Sequence, residues 1–296
     1  MSLILLAAKY VLLGKRTDIM LPTFIIIGAM KCGTTSLYSY LSAHPEIYMS
    51  KTKEIDFFAP QENFQKGLQW YSSFFQGKAK AYGEASTNYT KYPTFKNVPE
   101  RIYSVLPKAK LIYIVRNPIK RIISHYTHNL EKGRETGGIA SALSDFDNNH
   151  YVNCSKYYMQ LTRYFECYPE GQILLISMEQ MNIEPKLVLR KVFDFLGVDS
   201  QFYRADFTKA YHISSAKRRR NRLGEFLRGV KVEDRINNSL PSPVLIVYRK
   251  ITTVKISSIR LPDKLKDKLV AYLANDMARL RRIMGEDFKY MNWRFS

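Results

Sequence analysis

Short apolar runs at 23–28 (TFIIIG), 80–85 (KAYGEA), 110–115 (KLIYIV) and 172–176 (QILLI) alternate with helical periodicity at 34–43, 98–106, 118–131, 156–166, 185–196 and 264–284. Buried strands separated by helices predict an α/β fold, with a central parallel β-sheet flanked by helices. In such sheets ligands bind beyond the carboxyl ends of the strands, so the residues just after each run carry the most information. No internal repeat or Pro/Gly/Ser-rich linker interrupts the pattern, so 23–296 reads as one domain after an extension at 1–22. The stretch 222–262, with Pro241, Pro243 and Pro262, is less regular and predicts loops and short helices near the site.

With 296 residues, 46% of them hydrophobic, the chain can bury a sizeable core and is not a disordered protein. The N-terminal MSLILLAAKYVLLGKR is apolar but broken by Lys9 and too short to span a bilayer. It predicts an amphipathic helix that packs on the domain or touches a membrane surface through residues 1–16. Cys32, Cys154 and Cys167 form no CxxC or zinc-type spacing, which fits reduced thiols in a cytoplasmic compartment. The net charge of +20 asks for an anionic partner: nucleic acid, anionic lipid, or a substrate carrying several phosphates or sulfates. Residues 201–260 hold fourteen Lys/Arg against four Asp/Glu, half of that excess, densest in SSAKRRRNR from Ser214 to Arg222.

Two strand ends carry chemistry. After the first comes Gly28-Ala29-Met30-Lys31-Cys32-Gly33-Thr34-Thr35-Ser36. The glycines let the backbone approach an anion, and the following helix offers free N–H groups and the positive end of its dipole. The glycine spacing is that of a nucleoside-triphosphate loop, but Thr34 follows Gly33 where lysine belongs, and the lysine lies inside the loop at Lys31. After the third run comes RNPIKRIISHYTHN. A magnesium-binding acid would end that strand in a nucleotide hydrolase; here Arg116 does, a forked and permanently charged phosphate contact. Asn117 can cap the next helix, Pro118 suits its first position, and Ser124 adds a hydroxyl about two turns in. Two anion sites at two strand ends fit a nucleotide with two separated phosphates and need no metal.

At this point the chain resembles the sulfotransferase family, and within it the carbohydrate branch that includes the heparan sulfate sulfotransferases and bacterial relatives. GAMKCGTTSL resembles the family's 5′-phosphosulfate loop, and IVRNPIKRIISHY its 3′-phosphate motif. HPEIYMSKTKEIDFF and the basic SSAKRRR also have counterparts there, so the likeness runs from about Phe24 to Trp293. It implies a fold related to the P-loop nucleotide hydrolases. It also implies 3′-phosphoadenosine-5′-phosphosulfate (PAPS) as sulfuryl donor, the 3′,5′-bisphosphate (PAP) as product, and no metal. Carried over residue by residue, Lys31 contacts the bridging oxygen between sulfate and 5′-phosphate. Cys32, Gly33, Thr34, Thr35 and Ser36 hold the 5′-phosphate, and Arg116 and Ser124 the 3′-phosphate. Lys217, Arg218 and Arg220 of the basic loop fold over the nucleotide, in a register that can slip by one because Ala216 stands where the family has glycine.

In-line attack by an alcohol needs a base, and the resemblance points to Glu54 in KTKEIDFF. Near anion sites its pKa is expected to rise, with Lys53 pulling the other way; the plain alternative is an ion pair with Lys51 or Lys53. Asp56, two residues on, falls on the same face of an extended backbone and could orient the acceptor. His125 and His128, one turn apart, are alternatives as base, though solvated or core roles suit them better. Glu84 is either a second acceptor contact or the structural partner of a basic residue. Ser155 and Tyr157, in SKYYMQLTRYF, are weaker nucleotide or acceptor contacts, with Tyr164 and Phe165 in the core. Twenty-one tyrosines point to wet, hydrogen-bonding pockets. Heparan-type members carry a lysine after the glutamate of YGEASTNY; this chain has Ala85, which counts against a glycosaminoglycan acceptor. The acceptor expected is a hydroxyl or amine on a small molecule, natural product or carbohydrate. A nucleotide kinase would need lysine at 34 and a strand-end aspartate, and a nucleic-acid binder would leave Lys31, Arg116 and Ser124 as coincidences.

Overall fold

The computed structural model describes residues 19–208, 218–221, 244 and 251–293. The N-terminal helix expected over 1–16, most of the irregular 222–262 stretch and Lys217 lie outside the described residues. Ile19–Pro22, the described end of the extension, is not helical.

Five strands form one sheet: β1 (Phe24–Gly28), β2 (Ile47–Met49), β3 (Ala81–Ala85), β4 (Lys110–Val115) and β5 (Ile173–Ser177), in the order β2-β3-β1-β4-β5. Every pairing is parallel. Phe24 to Ile27 and Leu111 to Val115 are completely buried, as expected of strands covered on both faces. β2 is the strand that the hydrophobic pattern does not predict: three residues are too few for a period to register.

The longer helices fall where the periodicity placed them: α1 (Thr34–Ser42), α2 (Val98–Val105), α3 (Pro118–Glu131), α4 (Tyr157–Phe165), α6 (Pro185–Leu196) and α7 (Asp263–Met284). A short α5 (Met178–Ile183) follows β5 directly. In α6, Pro185 suits the first turn, Val188, Leu189, Val192, Phe193 and Leu196 form the buried stripe, and left-handed Gly197 (φ 77°) ends the helix. In α7, Leu269, Leu273, Met277, Leu280 and Met284 recur every three or four positions and are buried. Asp276 on the same helix accepts the Tyr158 and Met159 backbone N–H groups at 3.0 and 2.9 Å, closing the N-terminus of α4. Outside the sheet, β6 (Arg218–Arg220) pairs antiparallel with β7 (Thr253–Lys255), where loops and short helices were expected. Arg218 holds that pair together, donating from Nε to the Thr253 hydroxyl at 2.6 Å and from Nη2 to its carbonyl at 2.8 Å.

Candidate active site at three strand ends

The carboxyl ends of β3, β1 and β4 lie side by side in the sheet. The loop of residues 29–33 leaves β1. Gly28 (φ 151°) leads into it past Thr90, whose hydroxyl donates to the Ile27 carbonyl at 3.0 Å; a Cβ on Gly28 would come within 2.0 Å of that hydroxyl oxygen. Lys31 (φ 72°) and Gly33 (φ 89°) both take the left-handed conformation. For lysine that conformation is costly, and such outliers concentrate at functional sites. Gly33 is the N-cap of α1, with no side-chain cap and no acidic residue in the first turn. α3 is built differently: the Asn117 carboxamide accepts from the Lys120 N–H at 3.2 Å and caps it. The α1 terminus, bearing Thr34, Thr35 and Ser36, therefore keeps its positive end for an anion.

Arg116 closes β4 and its Nη1 donates to the Lys31 carbonyl at 3.2 Å. The two anion motifs thus touch through a hydrogen bond. Ser124 is buried on α3, two turns further on, and β6 packs against that helix. Arg218, expected to fold over the nucleotide, is exposed, with its Nε and Nη2 bonded to Thr253; the Arg220 backbone lies on the same strand.

Cys32 does not face the anion side. Its N–H donates to the Ala29 carbonyl at 3.1 Å, its thiol lies 3.6 Å from the Tyr157 hydroxyl, and burial pushes that thiol up to about 11. Tyr157 is likewise fully buried, edge-on to Tyr113, so it buttresses the loop from behind instead of reaching nucleotide or acceptor. Ser155 is also buried, its hydroxyl taken by Arg121. Tyr164 is in the core as expected, and Phe165 packs against it. The tyrosines Tyr71, Tyr113, Tyr157 and Tyr164 fill the core where wet pockets were expected. All three cysteines are free thiols.

On the β3 side, the Glu54 N–H donates to the Ala85 carbonyl at 2.8 Å, which fixes it beside the strand end. Its Oε2 accepts from the Thr87 N–H at 2.7 Å and the Thr87 hydroxyl at 3.0 Å, while Oε1 pairs with Lys53. The Glu54 side chain keeps 34% of its surface exposed, enough to meet an acceptor. Glu54 (φ 59°) and Asp56 (φ 55°) are both left-handed, so the extended backbone expected to align them is absent. Asp56 Oδ2 accepts from Asn88 at 2.7 Å and Asn88 in turn from Lys91 at 2.5 Å, leaving Asp56 Oδ1 buried without a partner. Burial, then the neighbouring Glu54 charge, push the Asp56 carboxyl up to about 6.

Glu84 is neither an acceptor contact nor a partner of a basic residue. It is completely buried, and accepts from the hydroxyls of Tyr71 (2.6 Å), Tyr89 (2.9 Å) and Ser86 (2.9 Å). Burial raises its carboxyl from 4.5 to about 7 despite those bonds. A carboxyl raised in the folded state binds its proton more tightly there, so its contribution is complete below pH 4.5 and lost as the pH passes 7. Between pH 5 and 8, Glu84→Gln should lose less stability than the wild type, by up to ~3 kcal/mol, in urea unfolding at each pH. Equal slopes would place the proton elsewhere.

His125 and His128, the alternative bases, are both engaged by other side chains. His125 is buried against His150 and Tyr151, and burial followed by the Arg121 charge holds it far below its usual value. His128 lies 3.5 Å from the Glu131 carboxylate. Among the described residues no group of three His, Cys, Asp or Glu side chains could hold a metal ion, and no helix is long and apolar enough to cross a membrane.

Sequence reading overlooked Arg121, Thr87 and Lys91. Arg121 had a visible signal: with Ser124 and His125 it forms a polar i, i+3, i+4 stripe on the buried side of α3.

A family model for the sulfotransferase domain matches residues 21–234. The chain is 28% identical over 237 residues to a bifunctional heparan sulfate N-deacetylase/N-sulfotransferase of Drosophila melanogaster, a match covering 68% of this chain and 22% of that protein. It is 32% identical over 198 residues to bifunctional heparan sulfate N-deacetylase/N-sulfotransferase 1 of Homo sapiens, over 60% of this chain and 22% of that protein. The matched part is thus only 22% of the length of these curated relatives. A solved sulfotransferase from Alicyclobacillus acidocaldarius superposes with a TM-score of 0.66 and 26% identity, covering 92% of this chain and 99% of that one.

Proposed function

The chain belongs to the sulfotransferase family, and on that premise we propose that it moves a sulfuryl group from PAPS to a hydroxyl or amine of a small-molecule, natural-product or carbohydrate acceptor. The observation that carries this reading is the bond from Arg116 to the Lys31 carbonyl, which joins a 3′-phosphate site to a 5′-phosphosulfate loop. The residues suit the donor: an α1 terminus free of acid, a loop lysine, and an arginine where a magnesium-binding acid would end the strand.

In the proposed reaction the acceptor oxygen or nitrogen attacks sulfur. The new bond to sulfur forms as the bond from sulfur to the 5′-phosphate oxygen breaks. Glu54 takes the acceptor's proton. The departing electron pair stays on the 5′-phosphate of PAP, where Lys31 offsets the charge. Ala85 is completely buried where heparan-type members have a lysine, which favours a small acceptor over a polymer.

Calorimetric titration without magnesium tests the donor. The wild type should prefer PAP over ADP, and Arg116→Ala should weaken PAP about 100-fold and abolish the preference, because a charge-assisted phosphate contact is lost. Binding of ADP alone, with magnesium, would sink the reading and favour a nucleotide kinase.

A further inference from the structure

Arg121 is the bulkiest side chain among those fully buried in the described structure, and it pairs with no carboxylate among the described residues. Its Nε donates to the Ser155 hydroxyl at 2.5 Å and its Nη2 to the Tyr151 carbonyl at 2.6 Å. Its Nη1 donates to the Met30 carbonyl at 3.3 Å and lies 3.3 Å from His125 Nδ1. A buried cation without a counter-charge is costly, and is tolerated only when its hydrogen bonds are made.

The target of that cost is specific. The Met30 carbonyl belongs to the peptide that enters Lys31, and the Lys31 carbonyl is held by Arg116. Two guanidinium groups, five residues apart around the β4–α3 junction, therefore grip two successive carbonyls. Between those carbonyls stands the one lysine of the loop, at φ 72°. Arg121 has 0% exposure, so it acts on the loop and not on a bound nucleotide. His125, neutral by burial, can accept from the same guanidinium and keeps that nitrogen free of a proton.

We propose that Arg121 is a positioning residue for Lys31: it fixes the peptide ahead of the lysine, and its effect lies in turnover rather than in nucleotide affinity. This rests on Lys31 facing the leaving oxygen, as under the proposed function. Arg121→Lys keeps the charge and loses the fork that spans Ser155, Tyr151 and Met30. Release of PAP from PAPS, with water as the acceptor, should slow about 100-fold, the scale of a misplaced catalytic group. The PAP dissociation constant should stay within about threefold of wild type. Ser155→Ala removes the bond at Nε, together with the hydroxyl's own bond to the Tyr151 carbonyl at 3.2 Å, and covers the case in which Arg121→Lys fails to fold; it should slow release about tenfold with the same split. Amide exchange at residues 29–33, read by mass spectrometry, should quicken in both variants.

Unchanged turnover with unchanged exchange would overturn the proposal, and so would a loss confined to PAP affinity. A wild type that binds no PAP would instead defeat the sulfotransferase reading, and this inference with it.

Discussion

Lys31→Ala is expected to lower the rate of sulfuryl transfer about 1000-fold while weakening PAP less than about tenfold, the pattern of a donor that matters most in the transition state. The reason is geometric and electrostatic. Lys31 sits at φ 72° with its carbonyl bonded to Arg116, and the preceding carbonyl is bonded to Arg121. The loop backbone is pinned on both sides of Lys31. Under the proposed function its ammonium meets the 5′-phosphate oxygen, which gains charge as the bond to sulfur breaks. PAP keeps its other proposed anchors in the variant: the α1 terminus, Arg116 and Ser124. Pre-steady-state release of PAP, paired with calorimetry, checks the split; equal losses in rate and affinity would make Lys31 a plain anchor.

Glu54→Gln is expected to keep PAP affinity and to lose about 1000-fold in transfer to an alcohol, within the range for removing a general base. Glutamine can still accept from Thr87, as Glu54 Oε2 does at 2.7 and 3.0 Å, so the local turn should survive. It cannot take a proton. Transfer measured against pH with a surrogate alcohol discriminates between bases. A variant that remains active, with an acid limb that lies below pH 6, would transfer the role to Asp56: burial still raises its carboxyl, but the Glu54 charge that helps push it up to about 6 in the wild type is gone.

The sheet and its helices were legible because their periods are long and unbroken. Ile25 to Ile27, Leu111 to Val115 and the α7 stripe of Leu269, Leu273, Met277 and Leu280 announce themselves. The loop and Arg116 were legible because their chemistry is tied to local order: a strand, a turn, a helix. What escaped depends on contacts distant in sequence. In the sequence Glu84 reads either as an acceptor contact or as the partner of a basic residue; its actual partners are three hydroxyls, of Tyr71, Ser86 and Tyr89. Cys32 and Tyr157 read in the sequence as ligand contacts, yet their side chains meet each other 125 residues apart in the chain. The turn at Glu54 and Asp56 could not be read either, because nothing in KEID demands two left-handed residues; only the docking on Ala85 and Ser86 does.

The order β3-β1-β4 acts as a ruler laid across the reaction. Neighbouring strands stand about 4.8 Å apart, and under the proposed function the base Glu54, the loop lysine and Arg116 belong to three strand ends spaced at that interval. On that reading the migrating group travels across the strands, from nucleotide towards acceptor, not along them. On the same reading donor recognition occupies the β1–β4 half, where two arginines bond the loop backbone. The proposed function leaves acceptor choice to the other half, in the connections around β2 and β3. Those segments can diversify with the ruler left intact, which is how one donor scaffold can serve acceptors as unlike as a polymer and a small alcohol.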